Sequence, residues 1–352
     1  MIGNLYHNFI KSITFYYILR MILIFGRFFL SLFLIIFLFY KNTLSNDNGC
    51  FSYECFEDRT INVLVIYDLK YYSEESIEKL IIERFSKVNE FYYSQFKINW
   101  NFFKKVGFHY NEDIGNISEL YSFHKAEISN LIKKSRAEII LSIVGHDVKG
   151  LGIAGTFSNY AMVSNLNKLN LDTGSIIIAH EFGHLFGAWH TQKTNDFMLL
   201  SGANTFDTSK ESKAILKLMR NYNFLPDSII NNVSLLKRIS RIYQRHHARF
   251  EIDPVARLLT DRGNEAYKNK DYNKAEKILN NSLSYYGKWG KTRMILSKTY
   301  YELKKYDESF LELTRAVFFG VKPDLLFEKK LKNKFVELQK IDPNIINPFI
   351  TK

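Results

Sequence analysis

Eleven residues constrain this chain more than any other stretch: His180-Glu181-Phe182-Gly183-His184-Leu185-Phe186-Gly187-Ala188-Trp189-His190. On a helix, His180 and His184 stand one turn apart on the same face, so both rings can reach a single ion. The third histidine sets a condition on the fold. His190 follows His184 by six residues, which is about 9 Å along a helix that continued. A zinc–nitrogen bond is only about 2.0–2.1 Å long. The helix must therefore stop, and the chain must fold back beneath the ion. Gly187 is the place for this, because glycine takes positive φ at a helix end at little cost.

The run fits H-E-x-x-H-x-x-G-x-x-H at every fixed position and uses three of the chain's nine histidines. In this it resembles the metzincin clan of zinc endopeptidases, whose extended motif this is. The resemblance implies one catalytic Zn²⁺ on His180, His184 and His190, with water at the fourth position and Glu181 as general base. It also implies a methionine turn beneath the metal, for which Met198 is the candidate; a soft thioether packs well under imidazole rings. Some members carry a tyrosine ligand two residues after that methionine. Leu200 stands there, so that ligand is absent. Metzincins also bind extended substrate on an edge strand before the zinc helix, by strand addition. That role is carried to residues 152–158, and so to Gly152, Ile153, Ala154, Gly155 and Thr156.

Two functions follow as expectations. One is a zinc-dependent endopeptidase acting on a protein or peptide substrate. The other is an exported docking protein whose metal domain is not catalytic. Glu181 separates them, since a structural zinc site has no use for a base beside an open coordination position.

With 352 residues, 46% of them hydrophobic, the chain is long enough for two domains with real cores. Its net charge is +12. The Lys and Arg residues are spread along the chain with no nucleic-acid motif, which argues against a nucleic-acid partner. Lys11, Arg20, Arg27 and Lys41 precede the first acidic residue, Asp47. Between them lies an apolar segment, Ile13 to Tyr40, whose uncharged core of thirteen residues runs from Phe28 to Tyr40. That is short for a span of about 20 residues and suits the apolar region of a signal peptide. No A-x-A cleavage site follows, so a cleaved signal and a retained membrane anchor both stay open. In either case the remainder is exported: anchored and facing outward, or secreted or periplasmic. Gly49-Cys50 matches the end of a lipoprotein cleavage site, but Asp47-Asn48 does not fit the positions before it. Cys50 and Cys55 are the only cysteines. They form a small disulfide or two thiols, and so short a loop would stabilise little.

Beyond a polar linker at 42–58, Ile61 to Tyr67 reads as a buried strand, Ser73 to Tyr93 as an amphipathic helix and Phe96 to Phe103 as a second strand. Ile117 to Lys134 reads as helix and Glu138 to Val144 as a third, fully buried strand. Gly150 to Ser164 reads as a glycine loop followed by an edge strand ending near Val163. Gly174 to Ala179 leads into the zinc helix, and Thr208 to Asn221 closes the domain. The expected fold is a metzincin-like α/β catalytic domain at 59–231, with a twisted, mainly parallel sheet and long helices. An N-terminal apolar helix at 1–41 precedes it, and a basic helical bridge at 232–253 follows.

The last part, 254–340, contains a repeat. Gly263 to Ala275 lines up with Ser297 to Ser309 at an offset of 34 residues, and Leu279 with Leu313, Ser282 with Ala316. This resembles tetratricopeptide repeats, whose period is 34. The resemblance implies an all-α domain of paired helices, capped by a helix at 323–339. It offers either a docking surface for a protein partner or a brace for the catalytic domain.

Overall fold

Three apolar runs form the middle of a five-stranded sheet. In the computed structural model, which describes residues 57–349 apart from Ser201, Ala203 and 247–251, these runs are β1 (Arg59–Asp68), β3 (Ile139–Val144) and β5 (Tyr160–Ser164). The strand order is β2-β1-β3-β5-β4, with β2 at Ile98–Phe108 and β4 at Gly152–Ala154. All neighbouring pairs are parallel except β4, which runs antiparallel to β5.

The central strands are apolar on both sides because both faces are covered. Ile61, Val63 and Val65 of β1 and Ile139, Leu141 and Ile143 of β3 point to one core. There they meet α1 (Glu74–Phe96) through Ile77, Ile81, Phe85 and Val88, and α3 (Leu171–Leu185) through Ile178, Phe182 and Leu185. The alternate residues Leu64, Ile66, Ile140 and Val144 meet α2 (Ile117–Lys134) on the opposite face through Leu120 and Ile128. The result is a three-layer α/β unit. Ser73 caps α1 as its sequence suggests, accepting from the Ser76 N–H. Helix α1 then runs to Phe96, past the expected end at Tyr93, and β2 begins only at Ile98.

The expected single edge strand up to Val163 is instead two strands. Phe157, fully buried and in the left-handed region at φ +57°, turns the chain between them. Its N–H donates to the His184 carbonyl at 3.1 Å. Therefore β4 is the edge strand on this side of the sheet, β5 lies inside it, and Gly155 and Thr156 belong to the turn between them.

After α3 come α4 (Lys210–Met219), a short α5 (Pro226–Ile230) and α6 (Val233–His246). Five helices follow: α7 (Pro254–Lys268), α8 (Tyr272–Tyr285), α9 (Gly290–Glu302), α10 (Tyr306–Phe318) and α11 (Leu325–Ile341). The backbone itself repeats here. Lys270 and Lys304, 34 residues apart, both sit at φ +62° in the turns that join α7 to α8 and α9 to α10. Small residues stand where the paired helices touch. A Cβ on Gly263 would lie 2.6 Å from Leu279, and the Ser297 hydroxyl donates to the Ser309 carbonyl at 2.6 Å.

The first of these helices is not a separate body. Val255, Leu258 and Leu259 of α7 share one continuous core with Leu236, Ile239 and Tyr243 of α6 and with Trp189 beside the third histidine. Asp253 caps α7 at the Val255 N–H and accepts from the Ser240 hydroxyl of α6. The N-terminal apolar segment, most of the linker, Cys50 and Cys55 lie outside the described residues. Among the described residues no helix is long and apolar enough to cross a membrane.

Candidate metal centre

The helix that carries the first two histidines starts earlier than its glycine suggests. Asn170 caps α3, its side-chain oxygen accepting from the Thr173 N–H at 2.8 Å. Gly174 sits inside the first turns because a side chain crosses there. A Cβ on Gly174 would lie 2.8 Å from Arg84 Nε, and that guanidinium donates to the Leu169 carbonyl at 2.9 Å and to the Leu166 carbonyl. Tyr92 of α1 donates to the Ala179 carbonyl at 2.8 Å, one residue before the motif. Helix α3 is thus held from one side before its ligands begin.

Its end has the double closure of a Schellman motif. The Ala188 N–H donates to the Gly183 carbonyl at 3.0 Å and the Gly187 N–H to the His184 carbonyl at 2.8 Å. Gly187 takes φ +87°, and a Cβ there would lie 2.0 Å from the Phe157 ring. Glycine is therefore needed twice over, for its backbone angle and for the space. The turn returns His190 to the other two rings. Ring centroids are 4.8 Å apart for His180–His184, 5.2 Å for His180–His190 and 4.7 Å for His184–His190. One ligand nitrogen from each of the three lies within 4.8 Å of the others.

The protonation states follow from the partners. His180 Nδ1 lies 2.7 Å from the Phe197 carbonyl, and His184 Nδ1 lies 2.8 Å from the Ala188 carbonyl. A carbonyl only accepts, so each Nδ1 carries the proton, and each neutral ring keeps its Nε2 lone pair free. Burial holds the rings neutral, pushing His180 down to about 4 and His184 well below its usual value. The lone pair of His184 Nε2 then faces His190 Nε2 at 3.2 Å. Three converging imidazoles, two of them held neutral by burial and oriented by backbone carbonyls, suit a divalent transition metal and zinc in particular.

Glu181 is buried between this cluster and the sheet edge. Burial raises its carboxyl to about 8, and Oε2 has no hydrogen-bond partner. A Cβ on Gly152 would lie 2.4 Å from Oε1. The glycine at the start of β4 is what lets the carboxylate stand against the strand.

Met198 is fully buried on the far side of the α3 end, next to Gly183. The segment 191–200 folds back on itself: the Thr191 N–H donates to the Met198 carbonyl at 2.9 Å, and the Leu200 N–H to the Thr191 carbonyl at 3.2 Å. Asp196 organises this turn. Its buried carboxylate accepts from the Met198 N–H at 2.9 Å, the Ser209 N–H at 3.0 Å and the Ser212 hydroxyl at 2.7 Å. The sequence offers a signal for Asp196, a carboxylate two residues before a turn N–H it can accept from, which the reading by motif passed over.

Two cavities flank the rings. One, of about 310 Å³, has an apolar wall of Leu151, Ile176, Ile177 and Leu199. The other, of about 410 Å³, lies beside Ala154, Thr156 and Trp189, and its outer wall is Ile252, Pro254 and Arg257. Gly152, Glu181, His190 and Leu200 border both. Of the residues read as substrate-binding, Gly152, Ile153, Ala154 and Thr156 line this opening, whereas Gly155 packs against Ser158 and Tyr121. Arg257 gives no local signal in the sequence, because it reaches the opening only through the packing of α7.

Three imidazoles converge at the edge of an α/β sheet with a buried carboxyl beside them, a donor set that fits one divalent metal ion. Residues 57–222 match Reprolysin_5, metallo-peptidase family M12. Similar solved structures include archaemetzincin from Methanopyrus kandleri, at 14% identity and TM-score 0.36, covering 46% of this chain and 96% of that one. Metalloproteinase-II from Bacteroides fragilis is similar at 16% identity and TM-score 0.32, covering 46% and 54%. A chain in a chaperone–substrate complex is similar at 13% identity and TM-score 0.39, covering 48% of this chain. This chain spans 36% of the length of that last one. No curated protein matches this chain.

Proposed function

We propose that this protein is a zinc-dependent endopeptidase of the metzincin type, acting outside the cytoplasm. The observation that carries the reading is the Glu181 carboxyl: buried, with an unpartnered oxygen, beside three imidazoles that converge on one point. A buried carboxyl oxygen with nothing to bond is costly, and a catalytic task accounts for it.

His180, His184 and His190 would hold the zinc. When bound, the ion would polarise the scissile carbonyl and acidify the attacking water. Substrate would lie extended along β4, its backbone bonding to the free edge of Gly152–Ala154. Glu181, against that strand, would accept the proton of the attacking water and return it to the leaving amine. The 310 Å³ cavity with its aliphatic wall would receive a side chain next to the cleaved bond. Met198 would serve as the packed floor beneath the ligands.

The helices α7 to α11 are read as tetratricopeptide-like pairs, supported by the 34-residue recurrence of the turns at Lys270 and Lys304. Export is inferred from the basic-then-apolar order of residues 11–40. Glu181→Gln tests the central reading. The variant should retain zinc at one equivalent while kcat/KM on a peptide library falls at least ~10³-fold. Undiminished cleavage in that variant would refute the assignment.

A further inference from the structure

The outer wall of the larger cavity comes from a helix that lies beyond the family-matched segment. Ile252, Pro254 and Arg257 stand at and just inside the start of α7, across the opening from Ala154 and Thr156. That helix is held firmly. Val255, Leu258 and Leu259 are anchored in the catalytic core, Trp189 stacks edge-on against Tyr243 at 5.2 Å, and Asp253 ties α7 to α6. The placement of Arg257 is therefore a product of packing and not of a free loop.

Arg257 itself is solvent-exposed, and no carboxylate among the described residues pairs with it. Around it the wall is apolar: Ile252, Pro254 and Trp189. The acid that borders this cavity is Glu181, on the opposite side by the sheet edge. A guanidinium beside the apolar outer wall of this pocket offers a planar pair of donors that match a carboxylate.

The geometry points to Arg257 as a specificity-determining residue that receives the carboxylate of an Asp or Glu side chain in the substrate. The inference rests on the peptidase reading above and names its substrate class: a peptide with an acidic residue on one side of the cleaved bond. A net charge of +12 would also draw acidic chains towards the protein.

The test uses the full chain loaded with zinc and fluorogenic peptides amidated at the C-terminus, so that only side chains supply a carboxylate. Asp or Glu, their amides, and Lys are placed in turn at each position around the cleaved bond. Wild type should favour an acid over its amide by about tenfold in kcat/KM on one side of the bond, an effect of about 1.4 kcal/mol. Arg257→Gln should erase that ratio, and Arg257→Glu should turn the preference towards Lys. Identical ratios in all three proteins would overturn the inference. Binding of the same peptides to the Glu181→Gln chain, by fluorescence anisotropy, gives a readout independent of cleavage. Charge-selective binding that needs Arg257, without cleavage by wild type, would retain this site and sink the peptidase reading. Cleavage without charge selectivity would do the reverse.

Discussion

Gly183 and Met198 are in direct contact: a Cβ on the glycine would lie 2.5 Å from the methionine sulfur. The same Cβ would lie 3.0 Å from the Phe197 ring, and the Phe197 carbonyl orients His180. The helix end and the loop beneath it are therefore fitted to one another without slack. Gly183→Ala should push Met198 and Phe197 away, costing about 1–3 kcal/mol and about tenfold or more in zinc affinity. Thermal unfolding and competition with a chromophoric chelator would measure both. An unchanged affinity would show that the loop carries no influence on the ligands.

Gly187 separates geometry from composition. Alanine there must adopt φ +87° and would meet the Phe157 ring at 2.0 Å. A left-handed conformation alone costs about 1–2 kcal/mol for a non-glycine residue. The expected outcome for Gly187→Ala is a loss of more than ~2 kcal/mol and a chain that binds zinc far below one equivalent, because His190 no longer returns. Metal analysis of the purified variant after dialysis checks it.

Burial of Glu181 makes the metal-free protein sensitive to pH. The carboxyl titrates near 4.5 in a solvated chain and is raised to about 8 in the fold. Between those values the folded state holds the proton and the unfolded state does not. Stability therefore falls as pH rises through this window. Glutamine has no such slope. In chelator-treated protein, Glu181→Gln should melt several degrees above wild type at pH 8 and close to it at pH 5. Parallel melting curves across that range would remove the buried, protonated carboxyl from consideration.

Asp196 is buried with three donors to satisfy, from Met198, Ser209 and Ser212. Asp196→Ala should cost about 2–4 kcal/mol, since the donors lose a charged acceptor. It should also release the turn under the rings. Denaturant titration gives the stability change, and faster loss of zinc to a chelator gives the second effect.

The shared core of α6 and α7 predicts how the molecule unfolds. Leu259 is 1% exposed within the cluster that also holds Trp189. Leu259→Ala should cost about 2–5 kcal/mol and lower the melting temperature of the metal centre, followed through zinc release, by the same amount as that of the helices. Two separate transitions, with only the second shifted, would contradict a common core.

Much of this was legible before the structure. Strands β1 and β3 are short apolar runs, and α1 and α2 carry clear helical stripes, so local pattern and tertiary burial agree. The motif required a reversal at Gly187, and the chain reverses there. The division of β4 from β5 was not legible, because it depends on Phe157 being forced into a left-handed turn by its place under Gly187. The early start of α3 was hidden by Gly174, which signals a loop until Arg84 is seen to cross it. Arg257 and the shared core were beyond reach, since both arise from contacts between distant parts of the chain.

The attachment of α7 has one more consequence. A boundary drawn at residue 222, where the matched segment ends, would cut through the packed interior shared by Trp189, Tyr243 and Leu259 and remove Ile252, Pro254 and Arg257 from the wall of the larger cavity.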